Sequence, residues 1–106
     1  MERDKISALV SAQRKFFASH KTMSVSYRIE ALKALKQVIK DNEHKISDAI
    51  KKDLGKSGFE SYMCETGLVL SEISYMLSHI RRFAKDKTVI SPITQFASRS
   101  YIKNMP

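Results

Sequence analysis

Ser57-Gly58-Phe59-Glu60, running on into Ser61-Tyr62-Met63-Cys64-Glu65-Thr66-Gly67-Leu68-Val69-Leu70-Ser71-Glu72-Ile73, carries the strongest helix-start signal in the chain. Ser57 and Glu60 fit a capping box, in which a hydroxyl and a carboxylate each satisfy a backbone N–H that the first helical turn leaves free. Beyond the box Tyr62, Thr66, Val69, Ile73, Met76, Leu77, Ile80 and Phe83 recur at helical spacing, which predicts a continuous helix over about 58–84. Arg81, Arg82 and Lys85 close it and suit the negative end of the helix dipole. Cys64, Leu68 and Tyr75 form a second, weaker apolar set, roughly 120–160° from the first at 100° per residue. A helix that is apolar on two sides calls for two packing partners.

One partner lies upstream. Ala31, Leu32, Ala34, Leu35, Val38 and Ile39 make a wide apolar arc, preceded by Thr22, Ser24 and Ser26, each acceptable as an N-cap. Lys33, Lys36 and Lys40 line the far side, where they are expected to be solvated. Asp41-Asn42-Glu43 interrupts the pattern and Ile46, Ala49, Ile50 and Leu54 resume it, so a second helix is expected over about 24–54 with a break near 41–43. Gly55 reads as its left-handed terminal residue. Earlier still, Ile6, Leu9, Val10, Phe16 and Phe17 share one face of a first helix over about 4–19.

After Asp86 the chain changes character. Thr88-Val89-Ile90-Ser91-Pro92-Ile93-Thr94 is β-branched and carries a proline, which means extended backbone. Ser98 to Met105 alternates roughly in period two and reads as a strand whose hairpin mate has not yet arrived. The expected fold is therefore mainly α: three long amphipathic helices in a helical segment over 1–85, then an extended or β tail over 86–106. A terminal strand without a mate, and a helix with one face uncovered, suggest a piece of a larger domain.

A chain of 106 residues can hold one core and not two. Its net charge of +8 is unevenly spread: residues 1–40 carry +6, residues 41–80 carry −3 and residues 81–106 carry +5. There is no apolar run long enough to span a membrane and no signal-peptide pattern, and a single cysteine can form no internal disulfide. These features together lead to the expectation of a cytoplasmic protein.

Each residue that could carry chemistry also has a plainer role. Cys64 sits mid-helix beside Glu65, a poor setting for a thiolate nucleophile, and reads as structural. His20, His44 and His79 are scattered, without the neighbours a metal site needs. Glu65 and Glu72 could share a face as paired carboxylates do, but read as solvated helix surface. Gly55, Gly58 and Gly67 have the wrong spacing for a phosphate-cradling loop. No catalytic, cofactor-binding or metal-ligating residue is therefore assigned. Lys33, Lys36, Lys40 and Arg28, with the cluster Arg81, Arg82, Lys85 and Lys87, leave the alternative of a free-standing basic helical module that binds nucleic acid or an acidic partner. Without interleaved aromatics these stripes read as solvated surface, and nucleic acid is not the expected partner. Adsorption of an amphipathic helix to membranes through Phe16, Phe17 and Phe83 is a further alternative.

Three motifs resemble the N-terminal region of the NAD(P)-dependent aldehyde dehydrogenase superfamily, in its class 3-like branch. Ser26 to Leu35, with Arg28, Leu32 and Leu35, is similar to the family's R-x-x-x-L-x-x-L helix; Ala49 to Lys56 is similar to its A-x-x-x-D-L-x-K segment; Glu65 to Ile73 is similar to its E-x-x-x-x-x-x-E-I pattern. The resemblance implies a parent enzyme that oxidises aldehydes to carboxylic acids with NAD or NADP, through a cysteine thiohemiacetal. It also implies that the catalytic cysteine, glutamate and asparagine and the dinucleotide-binding units lie beyond residue 106. Cys64 lacks the G-x-x-C setting of the family's nucleophile. This segment would then be non-catalytic and act in packing and assembly, its partners being the remainder of the parent chain and, through the open helix face and terminal strand, other copies of itself. The stretch from Gln95 to Met105 resembles the start of a strand pair in the family's oligomerisation arm.

Overall fold

A computed structural model describes residues 2–106. Five α-helices follow one another: α1 Glu2–Ala18, α2 Val25–Asp41, α3 Glu43–Leu54, α4 Gly58–Ser61 and α5 Gly67–Phe83; two short strands, β1 Lys87–Val89 and β2 Ser100–Ile102, end the chain. The molecule is thus mostly helical with a small antiparallel sheet, as the sequence predicts.

The boundaries have local causes. Ser24 is the cap of α2, its Oγ accepting from the Tyr27 N–H at 3.3 Å. The break between α2 and α3 falls on Asn42, whose side chain turns back to donate to the Val38 carbonyl at 2.8 Å instead of capping α3. Gly55 ends α3 with φ 68°, a left-handed conformation that costs glycine nothing sterically. Ser57 then caps α4 by accepting from the Glu60 N–H at 3.2 Å, the serine half of the capping box.

The third helix differs from its expected continuous form. Between α4 and α5, Tyr62–Thr66 form a single π-helical turn in which the Gly67 N–H donates to the Tyr62 carbonyl. A π-turn inserts one extra residue and shifts the helical phase upstream of it. Ser61 consequently faces inward at 1% exposure while Tyr62, assigned to the apolar stripe by simple periodicity, is about half exposed. Downstream the stripe holds: Ile73 and Ile80 are the buried apolar residues of the described chain, and they sit where α5 crosses α2. Lys36, expected on the solvated side of α2, instead reaches α5, its Nζ donating to Ser74 Oγ at 2.8 Å.

The terminal strand also departs from expectation. Its mate precedes it: β2 pairs antiparallel with β1 in the register Lys87 to Ile102, Thr88 to Tyr101 and Val89 to Ser100. It is shorter than the alternation suggested, and the connection contains a 3₁₀ turn at Ile93–Gln95 rather than extended chain throughout. Ser91 Oγ bonds Ser100 Oγ at 2.8 Å and donates to the Ser98 carbonyl at 3.1 Å, which closes the base of the loop.

α1 stands apart from this arrangement. None of its residues is buried, and it touches the rest mainly through the Lys21–Met23 turn. The radius of gyration is 20.2 Å, against about 13 Å for a compact domain of this length.

Candidate functional site

The polar groups that might have done chemistry are dispersed or tied into structure. Cys64 is a free, exposed thiol on the π-turn. His20 occupies a left-handed position after α1, His44 the first turn of α3 and His79 the middle of α5. Among the described residues no three His, Cys, Asp or Glu side chains converge as a metal site. Glu65 does not pair with Glu72. Its carboxylate instead accepts from Lys56 Nζ at 2.7 Å, tying the loop after α3 to the π-turn, with both side chains about one-third exposed. That hydrogen bond raises the Lys56 pKa above its ordinary value; desolvation opposes the rise and the Glu65 charge adds to it. Nothing in the spacing of Lys56 and Glu65, on either side of a loop, signalled this pair.

The surfaces are more coherent than the polar groups. Along α5 the rings of Tyr75 and His79 stack with centroids 4.2 Å apart, and His79 and Phe83 continue the ladder at 5.7 Å. The Arg82 guanidinium lies 5.4 Å from the Phe83 ring centroid. His79 Nδ1 is 2.8 Å from the Tyr75 carbonyl oxygen, so the tautomer protonated there donates to it and holds the ladder in line. Leu68 and Cys64, about two and three turns back from Tyr75, are exposed like it. This is the second apolar face read from the sequence, and nothing in the described chain covers it.

Between α2 and the end of α5 runs a largely apolar groove of about 420 Å³, lined by Tyr27, Arg28, Leu32, Met76, Ile80 and Phe83. Arg28, of the R-x-x-x-L-x-x-L motif, shapes its rim; its Nη2 donates to the Met23 carbonyl at 3.1 Å. A smaller recess of about 150 Å³ lies beside the π-turn, between Glu43, His44 and Ser47 of α3 and Ser61, Tyr62 and Thr66. The hairpin loop adds a third exposed surface, where Ile90, Ile93 and Phe96 stand 98%, 92% and 90% exposed. Isolated apolar side chains on a surface are ordinary, but a whole helix face plus a loop tip of this kind marks contact surface.

Among the described residues the helices and the short hairpin share one small core and leave much apolar surface exposed. The chain belongs to the aldehyde dehydrogenase family, whose model matches residues 1–106. It is 35% identical over 101 residues to "Aldehyde dehydrogenase family 3 comG" of Dictyostelium discoideum, covering 95% of this chain and 22% of that one. It is 37% identical to the 4,4'-diaponeurosporen-aldehyde dehydrogenase of Staphylococcus aureus (86% and 20% covered) and to the dog aldehyde dehydrogenase called dimeric and NADP-preferring (96% and 22%). A substrate-bound structure of Staphylococcus aureus AldH superimposes with a TM-score of 0.87 at 35% identity, over 92% of this chain and 21% of that one. The chain is therefore class 3-like and spans about a fifth of the length of these relatives, corresponding to their N-terminal part.

The three glycines each hold a structural position. Gly55 caps α3, Gly58 opens α4, and Gly67 is packed so tightly that a Cβ there would meet the Tyr62 carbonyl oxygen at 2.5 Å. None forms the strand–turn–helix phosphate loop that a dinucleotide requires.

Proposed function

We propose that these 106 residues are the packing and assembly portion of an aldehyde dehydrogenase that oxidises aldehydes to carboxylic acids with NAD or NADP, and that they hold none of its catalytic, cofactor-binding or metal-binding residues. The helical part, 1–85, lies against the body that carries the cofactor, and the extended part, 86–106, serves assembly. The observation that carries this reading is the open face of α5 at Leu68, Tyr75 and His79 together with an α1 that buries nothing, in a chain with a radius of gyration of 20.2 Å. Each Å² of apolar area left in water costs about 25 cal/mol relative to burial, so covering these surfaces is favourable.

The basic-module alternative gains no support from the lysine stripe. Lys36 points inward to Ser74, and Lys33 has Glu30 at 3.8 Å. No helix among the described residues is long and apolar enough to cross a membrane.

The test is an assay of aldehyde-dependent NAD+ and NADP+ reduction by the full-length protein and by residues 1–106 alone. Turnover by the former and none by the latter is expected; turnover by the short segment, or none by the full-length protein with any aldehyde, overturns the reading. Sedimentation of the segment should show self-association growing with concentration, and a strictly monomeric profile would count against exposed faces that need cover.

A further inference from the structure

The chain leaving the hairpin meets the helices at the groove between α2 and α5, where Asn104 and Met105 join the lining. Asn104, just past β2, donates from Nδ2 to the Phe83 carbonyl at 2.8 Å and to the Lys85 carbonyl at 3.1 Å, across 21 and 19 residues of sequence. The final carbonyls of a helix have no partner within it. At the end of α5 the Ile80 and Arg82 carbonyls are taken by the Ala84 and Lys85 N–H groups. Asn104 Nδ2 takes the carbonyl of Phe83, the last residue of α5, and that of Lys85, two residues past it, so one carboxamide ties the helix end to the chain that leaves the sheet. The loop tip, with Ile90, Ile93 and Phe96, lies at the other end of the same two-stranded unit.

We propose that Asn104 is the positioning residue of the hairpin: it straps the strand pair to the C-terminal end of α5 and so sets the direction in which the apolar tip is presented to its contact. The proposal rests on the assembly role assigned above to residues 86–106. Asn104→Ala removes the donors, and Asn104→Asp keeps the shape while turning a carboxylate toward carbonyl oxygens at the negative helix end.

The experiment is amide hydrogen exchange on the full-length protein and both variants, alongside its oligomer dissociation constant. Exchange at Lys87–Val89 and Ser100–Ile102 should rise about tenfold, more for the aspartate, as expected when one or two hydrogen bonds are lost from a local opening unit, while Ile73–Ile80 stays protected. The dissociation constant should weaken in parallel. Unchanged exchange in the hairpin, or a rise spread equally through α5, overturns the strap. Phe96→Asp separates the two claims: if it leaves assembly intact, the assembly role of the hairpin fails, while the exchange result still decides the strap.

Discussion

Gly67 shows how much one missing methyl group can decide. Its backbone φ is ordinary at −65°, so conformational freedom is not the reason for glycine here. The reason is space: a Cβ would sit 2.5 Å from the Tyr62 carbonyl oxygen and 3.3 Å from the Tyr62 ring. Gly67→Ala should therefore force the π-turn open and cost about 1–3 kcal/mol, as overpacking of a tight site does, read by denaturant unfolding of the full-length protein. The nearby Lys56–Glu65 pair gives a second residue-level expectation. Because its pKa is raised in the fold, Lys56 contributes stability that is present through neutral pH, below its unfolded value of 10.5, and is lost as pH climbs through the higher folded value. Glu65→Gln should bring the Lys56 pKa down toward that ordinary value in an NMR titration; no movement would mean that the pair does not form in solution.

At the scale of elements, the caps can be tested one by one. Ser57→Ala removes the acceptor for the Glu60 N–H and should cost about 1 kcal/mol, with Ser24→Ala costing about the same at the start of α2; denaturation midpoints that do not move would show the caps to be idle. These starts and stops were legible in the sequence because each depends on residues a few positions apart: Ser24, Gly55 and Ser57 act on their own neighbours. The pairing of β2 was not legible, since its mate is a three-residue strand eleven positions earlier, behind a proline and a 3₁₀ turn that break the alternation. The π-turn escaped for a similar reason. Its cause is the close approach of Gly67 to Tyr62, which leaves no mark on a 3.6-residue pattern, so Ser61 went unseen as an inward residue. The uncovered face of α5 was read directly, because periodicity alone separates Leu68 and Tyr75 from Ile73 and Ile80. The ties made by Lys36, Lys56 and Asn104 join residues nine or more positions apart and could only come from the fold.

The whole molecule has one small core, at the crossing of α2 and α5 around Ile73 and Ile80, and apolar surface on nearly every other element. Membership of the aldehyde dehydrogenase family, over about a fifth of its relatives' length, gives that surface a natural cover in the rest of such an enzyme. Under the proposed function, Phe16 and Phe17 of α1 and Leu68 and Tyr75 of α5 are interior residues of a larger body. The most direct measurement is hydroxyl-radical footprinting of the full-length protein, with side-chain oxidation read by mass spectrometry. Strong protection of those four side chains, with the exposed Lys51 and Lys52 in the last turn of α3 as the accessible reference, is the expected result; oxidation at the rates of free amino acids would contradict it.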